Sequence, residues 1–346
     1  LISTNKSLPE NYTSCREKVE AELKRIIGNK PLPIYEILKY HLGWQDVQGH
    51  PYGKNPGKFI RPTLCLLSCQ AVGGYTSQIL PAAASLELIH NFSLIHDDIE
   101  DASYKRHNRP TVWNLWGQPQ AINAGDAIFS LAYLALLKLR DTGVADKNIL
   151  HSIQVLGETC LELCEGQYLD IAYENRLDVT IEDYLVMIAK KTAALIAAAT
   201  SIGACLATDD EKIVSSLSEF GNNLGMAYQI HDDFLGIWGR EGKTGKSAKL
   251  DISEKKKTLP VVYGLQNSSG KDKQRLEKLY SQESIEAENI AEVVEILERL
   301  GARNYVQKLE QQYYYQALAK LEATGLESSK ISPLREIAYF LLNRDY

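Results

Sequence analysis

The sequence predicts an all-α protein, a single domain (residues 1–346) of about ten or more helices packed around a central cavity. Three observations carry that expectation. Apolar residues recur at helical spacing over most of the 346 residues, the pattern of helices that each bury one face. Period-two alternation is absent at any useful length, as are a Gly-rich dinucleotide fingerprint, a repeat period and a domain linker. Two apolar helical runs, residues 80–95 and 217–231, lead into paired aspartates, Asp97–Asp98 and Asp232–Asp233. Hydrophobic residues make up 45% and charged residues 24%, a balance that buries a core. The net charge of −6 lacks the basic footprint of a nucleic-acid binder, so no nucleic-acid partner is expected. No run is read as a transmembrane segment, because the Ala-rich stretch 192–207 is short.

In chain order, residues 8–27 read as an amphipathic helix, which Pro31 and Pro33 end before a second, short one. Residues 44–57 are rich in Gly, Pro and polar residues and read as an exposed loop. Pro62 suits the first turn of the next helix, so Lys58 and Arg61 stand at its N-terminus. Anions are favoured there by free N–H groups; the other reading is a surface charge pair. The run 80–95 then delivers Asp97, Asp98 and Asp101. Asp97 and Asp101 are four residues apart, share one helix face, and can grip the same ion. Next comes the basic turn Lys105-Arg106-His107-Asn108-Arg109-Pro110, and acid beside base suits a metal–phosphate site.

Residues 119–141 and 146–174 are helical, with Asp126, Gln167 and Asp170 as polar exceptions. Thr180 with Asp183 marks a helix start. Lys190-Lys191-Thr192 introduces a small-residue helix, from which a lysine can enter a cavity or snorkel outward. Residues 209–235 carry Gln229, Asp232 and Asp233. Gly236, Gly239, Gly242 and Gly245 then mark a loop that ends in Asp251 and Lys255-Lys256-Lys257. That lysine run is either a solvated cluster or a lid over phosphate. Residues 259–343 are further helix. Two aspartate pairs facing each other across a helical cavity suit hard cations, with magnesium bridging to a polyphosphate. A single pair would read as a solvated helix end. Cys15, Cys65, Cys69, Cys160, Cys164 and Cys205 fall within helical patterns and read as small buried hydrophobes. With no secretory signal pattern, they point to a reducing, cytoplasmic setting.

Ser-Leu-Ile-His-Asp-Asp-Ile-Glu-Asp, residues 93–101, resembles the first Asp-rich motif of the trans-isoprenyl diphosphate synthases, or polyprenyl synthetases. Gln-Ile-His-Asp-Asp-Phe-Leu-Gly, residues 229–236, resembles the second. Gly57-Lys58 through Arg61-Pro62, Lys191-Thr192, and Lys256 with Thr258-Leu259-Pro260 fall in the family's order around them. The resemblance covers about residues 15–340. It implies an isoprenoid synthase-like fold and a head-to-tail condensation of isopentenyl diphosphate with an allylic diphosphate. It also implies a homodimer and three magnesium ions, two on Asp97 and Asp101 and one on Asp232, with Asp98 and Asp233 completing the acidic set. By the same resemblance Arg106, Lys191 and Lys256 grip the allylic diphosphate. Lys58, Arg61, His90 and His107 hold isopentenyl diphosphate, and Thr192 and Gln229 line the reacting carbons. Phe92, one aromatic with the small Ser93 after it and no motif insertion, resembles geranylgeranyl-type enzymes, with farnesyl next. Phe92 also reads as a plain core aromatic.

Two positions depart from the family pattern. The paired arginines after the first motif are Arg106-His107 here, with Arg109 the nearest substitute, and the second motif's third aspartate is Gly236. Two other readings stay open. A class I terpene cyclase would want a glutamate where Arg240 stands, and it has no use for a second basic cluster. A non-catalytic partner subunit would be expected to lose the first motif, which is whole here.

Overall fold

The computed structural model describes residues 10–52, 57–239, 250–282 and 284–343. The expected glycine loop lies mostly outside the described residues. The helices are α1 (Glu10–Ile27), α2 (Pro33–His41), α3 (Ile60–Ala71), α4 (Leu80–Glu100), α5 (Val112–Trp116), α6 (Gln118–Leu137), α7 (Asp146–Tyr173) and α8 (Ile181–Ile188). They continue with α9 (Ala194–Cys205), α10 (Glu211–Trp238), α11 (Leu250–Ser253), α12 (Leu259–Asn267), α13 (Gly270–Tyr280), α14 (Ala287–Arg299), α15 (Ala302–Glu322) and α16 (Ser328–Leu342). Among the described residues the only strand ladder is β1 (Lys105–Arg106) with β2 (Arg109–Pro110). It turns the expected basic loop into a hairpin.

Local chemistry sets the helix ends. Thr180 and Asp183 form the expected reciprocal cap of α8, each side chain accepting from the other's backbone N–H at 3.1 Å. Asp210 caps α10 by accepting from Lys212 N at 3.0 Å and Ile213 N at 3.2 Å. α10 then runs through Gly236 to Trp238, beyond its expected end. Lys190 and Lys191 do not begin a helix. They sit inside a continuous one, on a π-helical turn (Ala189–Ala193) joining α8 to α9, a device common at functional sites.

The core forms where α3, α4 and α9 bury Leu64, Leu66, Leu86, Leu88, Ile89 and Ile202 completely. α9 is buried on all sides because its residues are small and apolar. Two stretches, Gln118–Thr142 and Ile181–Cys205, are long and apolar enough to cross a membrane. This corrects the expectation that none is. Much of the second is core, 67% buried in its most apolar window. Five cysteines are buried as expected; Cys164 is exposed.

Candidate active site

α3, α4, α7, α8, the π-turn, α10 and the hairpin enclose a cavity of about 1190 Å³. Every residue singled out by sequence as a site candidate lines it. What each one does there differs from residue to residue.

Asp97 and Asp101 keep their shared face at the end of α4, with Asp101 N bonded to Asp97 O at 2.8 Å. Burial pushes the Asp97 carboxyl upward, while Lys191 and Arg106 pull it back. Lys191 Nζ lies 2.5 Å from Asp170 Oδ2, and Lys256 Nζ lies 3.4 Å from Asp101 Oδ2. Burial alone would lower the Lys256 ammonium, but Asp101, Glu254 and Asp251 outweigh it and hold it above the usual lysine range. Asp170 was visible in the sequence only as a polar exception on α7, and its pairing with Lys191 gives that exception a use. α7 comes this close because residue 166 is glycine. A Cβ there would stand 2.3 Å from Lys191 N.

Two expected ligands are already committed. Asp98 is buried and accepts from Arg106 Nε at 2.8 Å. Burial raises its carboxyl to about 6 against the pull of Arg106. It holds Arg106 in place. Asp233 is buried too, and both its oxygens are taken. Oδ2 accepts from Tyr184 Oη at 2.5 Å and Leu259 N at 2.8 Å, and Oδ1 accepts from Gln229 Nε2 at 2.9 Å. Burial pushes this carboxyl up to about 7, opposed by those three donors. Thr192 Oγ1 donates to Gln229 Oε1 at 2.8 Å, so one chain of bonds joins the π-turn, α10, α8 and α12. Asp233 is the node of that chain.

The carboxylates left facing the cavity at the ends of α4 and α10 are Asp97, Asp101 and Asp232, all three on its wall. Among the described residues no three His, Cys, Asp or Glu groups converge closely enough to hold a metal ion alone. Hard carboxylate oxygens from two helices, with room between them, still fit magnesium, which keeps several waters and takes phosphate oxygens as ligands.

A second basic group surrounds Arg61. Its Nε is buried and has no hydrogen-bond partner among the described residues, the condition of a donor waiting for an acceptor. Burial lowers its guanidinium pKa, opposed by Tyr228, Glu87 and Asp232. Burial also pushes His90 well below the usual imidazole range, and His41 down to about 3, with nearby cations adding to both. Glu87, pushed up to about 7 by burial and drawn back by Arg61, was missed in the sequence. The signal was a lone acid inside the apolar run Leu86–Ile89.

His107 and Asn108 form the hairpin's two-residue turn, at φ 50° and 61°, the left-handed pair that matches strand twist. Arg109 does not stand in for the missing arginine. Its guanidinium lies 4.0 Å from the Tyr40 ring centre and 4.4 Å from that of Tyr52. It also donates to Tyr40 O at 3.0 Å and Gln45 O at 2.8 Å. It rivets the loop after α2 to the hairpin. Phe92 meets the rings of His96 at 4.8 Å and Phe129 at 5.1 Å, and Tyr133 lies tilted against Phe129 at 5.1 Å.

The polyprenyl synthetase family model matches residues 49–297. A short chain isoprenyl diphosphate synthase of Methanothermobacter thermautotrophicus is 43% identical over 290 residues, 84% of this chain and 87% of its own length. Mycobacterium tuberculosis contributes two relatives. Its (2E,6E)-farnesyl diphosphate synthase is 35% identical over 89% of this chain and 85% of its own. Its geranylgeranyl diphosphate synthase is 36% identical over 86% and 84%. The crystal structure of a polyprenyl synthetase from Streptomyces coelicolor superposes with a TM-score of 0.89 at 33% identity, covering 96% of this chain and 98% of the other.

Proposed function

This chain belongs to the polyprenyl synthetase family, and we propose that it condenses isopentenyl diphosphate with an allylic diphosphate to give a short-chain all-trans prenyl diphosphate. The observation that carries the reading is one cavity with two basic groups, Lys191–Lys256–Arg106 and Lys58–Arg61–His90, around the carboxylates of α4 and α10. Two substrates that each carry a diphosphate need two such groups, whereas a cyclase needs one.

Arg106, Lys191 and Lys256 grip the allylic diphosphate, each already oriented by a carboxylate: Asp98, Asp170 and Asp101. Three magnesium ions on Asp97, Asp101 and Asp232, with diphosphate oxygens and water, would supply the charge neutralisation that lets the diphosphate leave. Lys58, Arg61, His90 and His107 hold isopentenyl diphosphate with its double bond facing the allylic carbon. The allylic C–O bond breaks, the double bond attacks that carbon and leaves a tertiary cation, and the departing diphosphate takes a proton from the adjacent carbon, whose C–H pair becomes the new double bond. Thr192 and Gln229, fixed by Asp233, offer oxygen dipoles to the positive charge while it exists. Incubation with magnesium, labelled isopentenyl diphosphate and an allylic primer should yield elongated linear diphosphates. A hydrocarbon from primer alone would support the cyclase, and no turnover the partner subunit.

Arg61→Ala should raise the KM for isopentenyl diphosphate by about tenfold or more, the loss of charge-assisted bonds to a phosphate, and leave the primer's KM nearly unchanged. Equal effects on both substrates would mean that the two basic groups are wrongly assigned.

The favoured product is geranylgeranyl diphosphate, with farnesyl next. Relatives of both names match about equally well, so the cavity wall must discriminate. Phe92 lies one to two turns before Asp97, on the side towards which helical side chains tilt. Phe92→Ala should lengthen the product, with Phe129 the next obstruction. Chromatography of the dephosphorylated alcohols reads this, and an unchanged product would remove Phe92 as the floor.

A homodimer is proposed through α6 and α7, where Ile122, Leu134 and Leu161 are 46%, 55% and 62% exposed. The family resemblance supports this reading, and these exposed apolar side chains are the groups a partner would cover. Light scattering should give twice the 38.7 kDa chain mass; a monomer at working concentrations would reject it. The buried thiols fit a cytoplasmic setting.

A further inference from the structure

An acid sits among the cations of the second basic group. Glu87 lines the same cavity as Lys58, Arg61 and His90, and only 3% of it is exposed. A carboxylate is an adverse neighbour for a bound diphosphate, since like charges repel. Its place is nevertheless built. Asn91, one turn on, donates from Nδ2 to Glu87 O at 2.8 Å and to Glu87 Oε1 at 3.2 Å. From the other side the backbone ahead of Lys58 lies against it, where a Cβ on Gly57 would stand 3.5 Å from Glu87 Oε1. Phe59, between Lys58 and Arg61, is buried with its backbone left-handed at φ 47°, a conformation that a bulky residue keeps only where its surroundings impose it. The charges of Arg61 and Glu87 act on each other. Arg61 Nε still has no hydrogen-bond partner among the described residues.

We infer that Glu87 is a positioning residue for isopentenyl diphosphate: as a carboxylate it competes for Arg61, as a carboxylic acid it releases Arg61 to the diphosphate, and binding therefore takes up a proton at Glu87. Solvent supplies that proton, and no bond of the substrate changes. The acid form still accepts from Asn91 through its carbonyl oxygen. Burial has already pushed the Glu87 carboxyl up to about 7, so a second anion close by completes the change near neutrality. The groups around it are Arg16 of α1, His41 of α2, Arg61 of α3 and His90 of its own helix. Tyr228 and Asp232 of α10 act on Arg61. Both arginines stay charged, and burial holds both imidazoles below their usual range. The sign follows from linkage. A bound anion raises the Glu87 carboxyl further, so affinity is full at low pH and falls as pH rises from the free chain's value to the complex's. The inference rests on the assignment of Lys58, Arg61 and His90 to isopentenyl diphosphate.

Calorimetric titration of isopentenyl diphosphate into the full chain without primer, in two buffers of different ionisation enthalpy, counts the protons without turnover. Glu87→Gln is the reference, because it keeps the shape and the Asn91 bond and mimics the acid form. The unmodified chain should take up more protons than Glu87→Gln, and its Kd should rise on the order of tenfold between about pH 6.5 and about pH 8.5. Glu87→Gln should lack that rise and bind more tightly than the unmodified chain at the alkaline end. Titration of other groups, His107 among them, is common to both chains and cancels in the comparison. A purely structural Glu87 would change the thermal midpoint and leave the pH profile as it was. If Glu87→Gln does not fold, difference infrared spectroscopy of the unmodified chain decides, since binding should convert a carboxylate band into a carboxylic-acid band. Equal proton uptake in the two chains, weaker binding by Glu87→Gln at every pH, or no carboxylic-acid band would overturn the inference and leave the parent reading intact. Failure of the unmodified chain to bind isopentenyl diphosphate would overturn both.

Discussion

Asp97→Ala and Asp232→Ala should each lower kcat by about a thousandfold or more while the helical fold and thermal midpoint stay near those of the unmodified chain. The size follows from the reaction. Several kcal/mol of charge stabilisation on the leaving diphosphate run through these carboxylates, and each 1.36 kcal/mol is a factor of ten in rate. The selectivity follows from position. Both residues are only partly buried on the cavity wall. Kinetics at saturating magnesium, with far-ultraviolet circular dichroism on the same samples, check both halves. Near-normal rates in either variant would remove that carboxylate from the cation site.

Asp233→Ala, one residue away, should act on stability. It strands the Tyr184 hydroxyl, the Leu259 N–H and the Gln229 amide, all now bonded to one buried carboxylate. Each buried donor left without a partner costs about 1–3 kcal/mol, so unfolding should become easier by about 3 kcal/mol or more. Asp233→Asn should lose less. Its amide oxygen can still accept from Tyr184 and Leu259, and the Gln229 amide can turn over to meet it. Denaturant midpoints at constant slope measure the order Asp233→Ala, then Asp233→Asn, then the unmodified chain. The reverse pattern, an unstable Asp232 variant beside a stable Asp233 variant, would exchange the two assignments.

The neighbouring aspartates show how far the sequence by itself reaches. Spacing along the chain determined the helices, the shared face of Asp97 and Asp101, the cap at Thr180 and the basic turn after the first motif. Each follows from bonds and side-chain directions within one or two turns, which local periodicity encodes. Composition excluded the basic surface of a nucleic-acid binder.

Tertiary structure alone decided which member of each acidic pair is buried and bonded. Asp98 and Asp233 were turned into holding groups by Arg106, Tyr184 and Leu259, and the last two approach Asp233 from other helices. It also placed Lys191 on a π-turn against Gly166, spent Arg109 between Tyr40 and Tyr52, and laid Asp251 over Gly236. None of these has a local signal. Each depends on two segments far apart in the chain packing to within a few ångströms. Side-chain volume and burial set that approach, and no spacing rule within one helix records it.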